Sequence, residues 1–351
     1  MTRPTGGVRR LGVLFVLGAV LAGCLPSSQR ELDRSLSATD SASVALAEAA
    51  PVDTLDVVWT AYAPEADPMI LPTSLGWTRD GVVVVETQGG SVRHFREGGA
   101  YAGRTDLGAE TFPYLAGVRG DTAVVLERGT DRLAFVLPEV GVVRAVPVPA
   151  GALNALATDT RLAVRLGGGA TGDDPELVTL HEDGTEAGRV SLPGPPWRSV
   201  GFLRAWDDAV LALSGYRPVI DVVDGPEADT LALNGFGSPQ FVRSAQFARG
   251  EVDEPPLLTS SAAPLGDRLF VINLRADHVR LDVYDRAGTL QRVLVSPGPW
   301  APIDTVPGDL AVRPGPGGSV ELAVLMARAP GLLQSPDARV VLYRWTPPSG
   351  A

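Results

Sequence analysis

Five arginines follow short apolar runs at comparable places along the chain. They are Arg128, Arg165, Arg217, Arg275 and Arg328. A guanidinium group binds a carboxylate or a phosphate through two parallel hydrogen bonds, so a ring of such residues would form a site for an anionic ligand. The other interpretation is structural pairing with acids of the same chain. Acids that could serve are Glu127, Asp131, Asp173 and Asp277.

Aromatic residues recur beside prolines in the same parts of the chain. They occur in Phe112-Pro113, in residues 193–197 ending at Trp197, at Phe236 and Phe241, and in residues 297–300 ending at Trp300. Exposed rings form platforms for sugar rings or peptide side chains, whereas buried rings pack the interior. We take Trp197 and Trp300 as candidate ligand-binding residues beside the five arginines.

Signals for catalysis or for a resident metal are weak. The three histidines, His94, His181 and His278, lie in unlike sequence contexts, which argues against one shared metal site. The motifs G-x-S-x-G, H-E-x-x-H and C-x-x-C do not occur in the sequence. Residues 167–175 are rich in Gly and Asp but lack the alternating oxygen ligands of an EF-hand loop. We therefore expect a protein that binds rather than catalyses, without a cofactor.

The chain has one cysteine, Cys24, which closes the tetrapeptide Leu-Ala-Gly-Cys. An apolar run over residues 11–20 precedes it, and three arginines precede the run. The run is too short to span a bilayer; an ordinary secretory signal is the other alternative. The arrangement resembles the lipobox of bacterial lipoproteins. The resemblance implies cleavage before Cys24, acylation of its thiol and usually of its amino group with fatty acids such as palmitate, and attachment to a membrane.

Leu25 follows the cysteine where an Asp would resemble an inner-membrane retention signal. The expected location is therefore the cell envelope, anchored in the outer membrane and facing the periplasm or the cell surface. The first 23 residues hold three arginines and no acid, which leaves 27 basic against 41 acidic residues and a charge of −14. Nucleic acid is excluded as a partner, because phosphate binding needs a basic surface.

Composition divides the chain into three parts. Residues 1–23 form the signal peptide. Residues 24–54 are rich in Ser, Ala, Asp and Glu and predict a flexible tether, with at most a nascent helix over residues 35–50. Residues 55–351 predict one folded domain, in which short apolar strands alternate with Gly, Asp, Asn and Pro turns. No amphipathic helix is predicted after residue 73.

Turn glycines recur in this domain at intervals of about 42 residues, apart from one longer gap. They are Gly99, Gly141, Gly184, Gly225 and Gly288. Four short strands per repeat are typical of a propeller blade, and the apolar strands make six such units. The last unit is one strand short, while residues 55–62 form a strand without a unit. We therefore predict an all-β, six-bladed β-propeller closed by this N-terminal strand, with an irregular pair of β-sandwiches as the rival.

This pattern resembles the six-bladed propellers of the NHL-repeat and gluconolactonase-like superfolds. The second resemblance implies a calcium ion held by Glu and Asn side chains at the channel, for which Asn154, Asn273 and either Glu86 or Glu127 could serve. It gives the alternative function, a calcium-dependent hydrolase or lactonase. The leading hypothesis is a lipid-anchored binding or scaffold protein that captures a protein segment or an envelope glycan on its loop face.

Overall fold

The computed structural model describes residues 41–167, 175–192, 201–275, 278–298, 305–328 and 338–348. These residues form six antiparallel sheets of four strands, one of which carries an additional strand. The first strand of each sheet contacts the first strand of the next, and the sixth contacts the first, so the sheets close into a ring. The prediction of a six-bladed β-propeller is confirmed.

The strands of a blade are called a to d from the axis outward. Blade 1 contains Pro72–Trp77, Gly81–Glu86, Ser91–Arg96 and Tyr101–Asp106, and blade 2 contains Pro113–Arg119, Thr122–Glu127, Arg132–Leu137 and Gly141–Pro147. Blade 3 contains Ala152–Ala157, Leu162–Leu166, Glu176–Leu180 and Glu186–Ser191, and blade 4 contains Leu203–Trp206, Ala209–Leu213, Val219–Asp224 and Glu227–Ala232. Blade 5 contains Ala262–Leu265, Arg268–Ile272, Arg280–Tyr284 and Leu290–Val295. Blade 6 contains Thr305–Pro314, Val320–Arg328, Arg339–Trp345 and, as its strand d, Asp56–Tyr62.

The ring is closed by the N-terminal strand, as the sequence predicts. Asp56–Tyr62 pairs antiparallel with Arg339–Trp345, so the two ends of the domain share one sheet. The turn glycines of the repeat also behave as expected: Gly99, Gly141 and Gly184 all have positive φ, between 84° and 112°. L-residues with a side chain avoid this region, which explains why glycine marks the turns between strands c and d.

Residues 41–54 differ from the expected tether. They form the helix Ser41–Ala49 and the strand Val52–Thr54, which adds to blade 5 parallel to Leu290–Val295. The Ser43 hydroxyl accepts a hydrogen bond of 2.8 Å from the Gly235 backbone N–H. The boundary was missed because contacts with distant blades, and not an apolar period of their own, hold these residues. Residues 24–40 lie outside the described part of the chain.

A second helix, Phe241–Ala248, corrects the expectation that no amphipathic helix follows residue 73. It lies in the insertion between blades 4 and 5. Phe241 packs against Phe236 with ring centroids 6.1 Å apart, while Val242 is 71% exposed. Short 3₁₀ helices occur at Ala109–Thr111 and Pro316–Gly318. Within the described ranges, no helix has the length and apolar character needed to cross a membrane.

Apolar packing between blades holds the ring together. The described residues form six buried clusters, and each joins two neighbouring blades; one contains Leu126 and Phe135 of blade 2 with Leu162 and Val164 of blade 3. Every blade therefore buries both of its faces, which is why its inner strands read as continuous apolar runs. Burial at about 25 cal/mol per Å² of apolar surface is the main stabilising contribution to such a fold.

Candidate functional site

Strands a of all six blades line a central channel. It contains a cavity of about 250 Å³ bounded mainly by small or aliphatic residues, among them Gly76, Ala116, Gly117 and Ala157. The small residues are required by close packing, since a Cβ on Gly117 would lie 2.1 Å from the Ala157 carbonyl oxygen. Arg204 is the one charged residue among those that line this cavity.

An ion pair joins blades 4 and 6 across the intervening blade 5 at the wall of the channel. Arg204 of blade 4 donates from Nη2 to Asp309 Oδ1 of blade 6 at 2.5 Å, and the Ser261 hydroxyl donates to the same oxygen at 2.6 Å. The other carboxylate oxygen of Asp309 accepts from the Leu75 backbone N–H at 2.9 Å. Asp309 is 1% exposed. Both carboxylate oxygens are therefore occupied by contacts within the ring, and the Arg204–Asp309 pair holds the blades together at the channel wall.

Two kinds of loop, b–c loops and the d–a connections between blades, share one face of the ring, called the b–c face below. In blade 1 this face carries a buried network centred on Arg93, which is 0% exposed. Its Nε donates to Glu86 at 2.7 Å, and its two terminal nitrogens bind the Asp67 carboxylate at 2.8 and 2.9 Å. These hydrogen bonds hold the pKa of Asp67 below its usual range. Arg93 thus fixes residues 63–71, the connection from blade 6 to blade 1.

Two arginines of blade 2 that are close in sequence have different partners. Arg132 donates from Nε to the buried Glu127 at 2.5 Å. Arg128, although adjacent to Glu127, lies with its guanidinium carbon 4.1 Å from the centre of the Tyr114 ring. Arg128 makes no hydrogen bond or ion pair with any residue that the structure describes, and its buried Nε is without an acceptor. Arg128 as a whole is half-buried.

Phe112 lies next to this arginine on the b–c face. It is 46% exposed, and its φ of 45° places it in the left-handed region immediately before Pro113. A phenylalanine in this region costs of order 1–3 kcal/mol, and such strain is concentrated at functional sites. The ring lies against Gly129, where an added Cβ would come within 3.4 Å of it. We call Phe112, Tyr114 and Arg128 the blade 2 surface.

Arg165 occupies a different environment from Arg128, because it lies within strand b of blade 3, whereas Arg128 follows strand b of blade 2. It is 1% exposed and lies between blades 3 and 4. It donates to the Leu213 carbonyl at 3.1 Å, to Asn154 Oδ1 at 2.7 Å and to the Gly201 carbonyl. Burial lowers the pKa of Arg165 to about 10, and Asp221 opposes this effect. These contacts correspond to the structural interpretation of the arginines.

The other predicted arginines are distributed over blades 4 to 6. Arg217 is buried and has partners, and Arg275 donates to the Gly237 carbonyl at 2.6 Å. Arg328 ends strand b of blade 6 opposite Thr305. The five arginines lie at or near the ends of strands b of five different blades, blades 2 to 6. Cys24, Trp197, Trp300, Asp173 and Asp277 lie outside the described ranges.

The residues considered for calcium are placed in separate networks. Asn154 accepts from Arg165, and Glu86 accepts from Arg93. Asn273 donates to Asp282 at 2.6 Å, and burial raises the pKa of this Asp282 carboxyl. Among the described residues, no group of three His, Cys, Asp or Glu is arranged to hold a metal ion.

The histidines also lie apart. His94 is buried in strand c of blade 1, 3.3 Å from Asp80, whereas His181 is exposed after strand c of blade 3. His278 precedes strand c of blade 5 and has a partner. Tyr114, which supports Arg128, was not singled out from the sequence. Its position two residues after Phe112 and beside Pro113 was the available signal.

Comparison with known proteins places the chain by fold. No protein-family model and no curated protein matches the sequence. A structure from Bacteroides fragilis NCTC 9343, of a protein named as exported, has a TM-score of 0.51 at 10% identity and covers 84% of this chain and 95% of its own. A streptogramin B lyase has a TM-score of 0.49 at 10% identity, with coverages of 84% and 87%. Glutaminyl cyclase from Myxococcus xanthus has a TM-score of 0.42 at 14% identity, with coverages of 67% and 100%. At these identities the likeness concerns the fold alone.

Proposed function

We propose that this protein is an exported, lipid-anchored binding protein of the cell envelope that captures a partner on the b–c face of its propeller. The basic flank, the short apolar run and Cys24 support export and acylation. The fold is also that of a protein named as exported. Acylation with more than one chain gives stable membrane attachment, which a single chain does not.

The observation that carries the binding role is a contrast on the b–c face. Arg93, Arg132 and Arg165 are engaged by residues of the same chain. Arg128 is charged and half-buried, but in the described structure its partner is only the Tyr114 ring. A half-buried charged group without a counter-charge favours binding of an anionic partner. The adjoining exposed Phe112 adds apolar contact area.

The test is photo-crosslinking in the native membrane with full-length, lipid-bearing protein, using a photoreactive residue at position 130, beside Arg128. We expect a crosslinked species that is lost in Arg128→Met and kept in Arg79→Met. Arg79 is a matched control because its side chain is 80% exposed and forms only a surface pair with Asp121. Equal crosslinking in both variants would contradict the proposed face. A second arm adds calcium to the purified protein; a thermal shift on addition would instead favour the hydrolase alternative.

A further inference from the structure

We infer that the blade 2 surface recognises a peptide segment carrying a carboxylate next to an apolar side chain. The inference rests on the proposed function and names the ligand chemistry of that site. The guanidinium of Arg128 supplies the charge for the carboxylate, and the exposed ring of Phe112 supplies the apolar contact. The guanidinium carbon lies 4.1 Å from the centre of the Tyr114 ring, a distance at which the ring face attracts a cation and holds the side chain in place.

The exposure of Phe112 supports a role for its ring in binding. Glycine would adopt φ of 45° without penalty, yet a large aromatic residue stands there and remains 46% exposed. Its ring contributes little to the interior compared with the buried Phe95 or Phe270. The left-handed conformation recurs at Leu71, immediately before Pro72 in blade 1, and so belongs to the d–a connection. Because the exposed ring makes few buried contacts, a contribution to recognition accounts for an aromatic residue here better than packing does.

The neighbouring polar groups favour a peptide over a glycan. Sugar recognition needs free donors and acceptors for many hydroxyls. Around this surface the Thr111 hydroxyl donates to Gly108 at 2.6 Å, and the Thr130 hydroxyl donates to Glu127 at 2.9 Å. Glu127 Oε2 also accepts from Arg132, whereas Glu127 Oε1 is buried and has no hydrogen-bond partner among the described residues. The two hydroxyls are committed within the fold and Glu127 is 0% exposed, so the exposed recognition elements of this surface are one charge and one apolar ring.

The experiment uses ligand-observed NMR titration of the purified full chain with four probes. These are an acetylated Ala-Leu-Leu peptide with a free C-terminal carboxylate, the same peptide as its amide, an acetylated Leu-Asp-Leu amide, and galacturonic acid. We expect the carboxylate peptides to bind at least about fivefold more tightly than the amide of Ala-Leu-Leu, since a charge-assisted pair contributes about tenfold when well placed. The two carboxylate peptides distinguish a terminal from a side-chain source.

Variants separate this inference from the proposed function and from misfolding. Arg128→Gln abolishes the preference for carboxylate, Arg128→Lys restores part of it, and Arg79→Gln has no effect. Phe112→Gly weakens peptide binding at least about threefold while leaving the melting temperature unchanged or raised, because it removes the left-handed strain. Equal binding of acid and amide, or Arg128-dependent binding of galacturonic acid alone, would overturn the inference. Crosslinking that still depended on Arg128 would in that case leave the proposed function standing.

Discussion

Replacing Arg165 and Arg128 by methionine, one at a time, compares how much a buried and a half-buried arginine contribute to the stability of the propeller. In Arg165→Met three buried acceptors lose their donor, the Leu213 and Gly201 carbonyls and Asn154 Oδ1. Each unsatisfied acceptor costs about 1–3 kcal/mol, which gives a gross loss of about 3–9 kcal/mol. Part of this is offset because a buried charge is removed. The pKa of Arg165, lowered by burial to about 10, corresponds to roughly 3 kcal/mol at about 1.4 kcal/mol per unit.

The expected net loss for Arg165→Met is therefore about 3 kcal/mol, or a fall in melting temperature of about 6 °C for a domain of this size. Arg128→Met should change the stability by less than about 1 kcal/mol, because a stacked surface cation contributes only this much and the methionine stem still covers Tyr114. Differential scanning calorimetry and urea unfolding measure both values. Equal losses in the two variants, or a stable Arg165→Met protein, would refute the assignment of Arg165 to structure and Arg128 to binding.

Three further predictions concern the ring. In Gly117→Ala the new Cβ would lie 2.1 Å from the Ala157 carbonyl oxygen, so the free energy of unfolding measured in urea should fall by about 1–3 kcal/mol. In the control Gly188→Ala, where the new Cβ meets open space, it should change by no more than about 0.5 kcal/mol. Similar losses in both variants would contradict the packing argument. Arg93 lowers the pKa of Asp67. The Arg93–Asp67 ion pair therefore stabilises residues 63–71 fully above the ordinary carboxyl pKa, and this stabilisation is lost as the pH falls through the lowered pKa. Amide hydrogen exchange of residues 63–71 should accelerate in that pH range, and in Asp67→Asn it should be rapid at every pH. Asp53 accepts hydrogen bonds from Arg292 at 3.0 Å and from Trp345 Nε1 at 2.8 Å. Asp53→Ala should therefore make residues 50–62 sensitive to limited proteolysis. Unchanged resistance would show that the strand pairs alone hold this segment in place.

The propeller was predictable because its signals are local and repeated. Alternating strands and turn glycines such as Gly184 indicate hairpins between segments that are adjacent in sequence. The N-terminal strand without a unit of its own indicates how the ring closes. The helix Ser41–Ala49 and the strand Val52–Thr54 were not predictable in the same way. Three residues are too few to show a period, and the parallel partner, Val293–Val295, lies more than 200 residues away.

The sequence also identified the arginines without separating their roles. Both arginines come at the end of an apolar run and have acids nearby in sequence, yet Arg165 lies within strand b of blade 3 and Arg128 follows strand b of blade 2. Their difference arises from the neighbouring blade, which presents the Leu213 and Gly201 carbonyls to Arg165. Arg128 instead meets the Tyr114 ring of its own blade. Such differences depend on contacts between blades, which no local pattern in one chain reveals.

The paired docking of the N-terminal segment determines how mechanical tension would enter the molecule. Val52–Thr54 pairs with blade 5, and Asp56–Tyr62 pairs with blade 6. A pull on the chain before residue 41 therefore first strips the helix and then the short strand, with Asp53 joining Arg292 of one blade to Trp345 of the next. The strand that closes the ring is loaded last. The short strand can therefore detach from blade 5 under tension and pair with it again while the propeller stays closed.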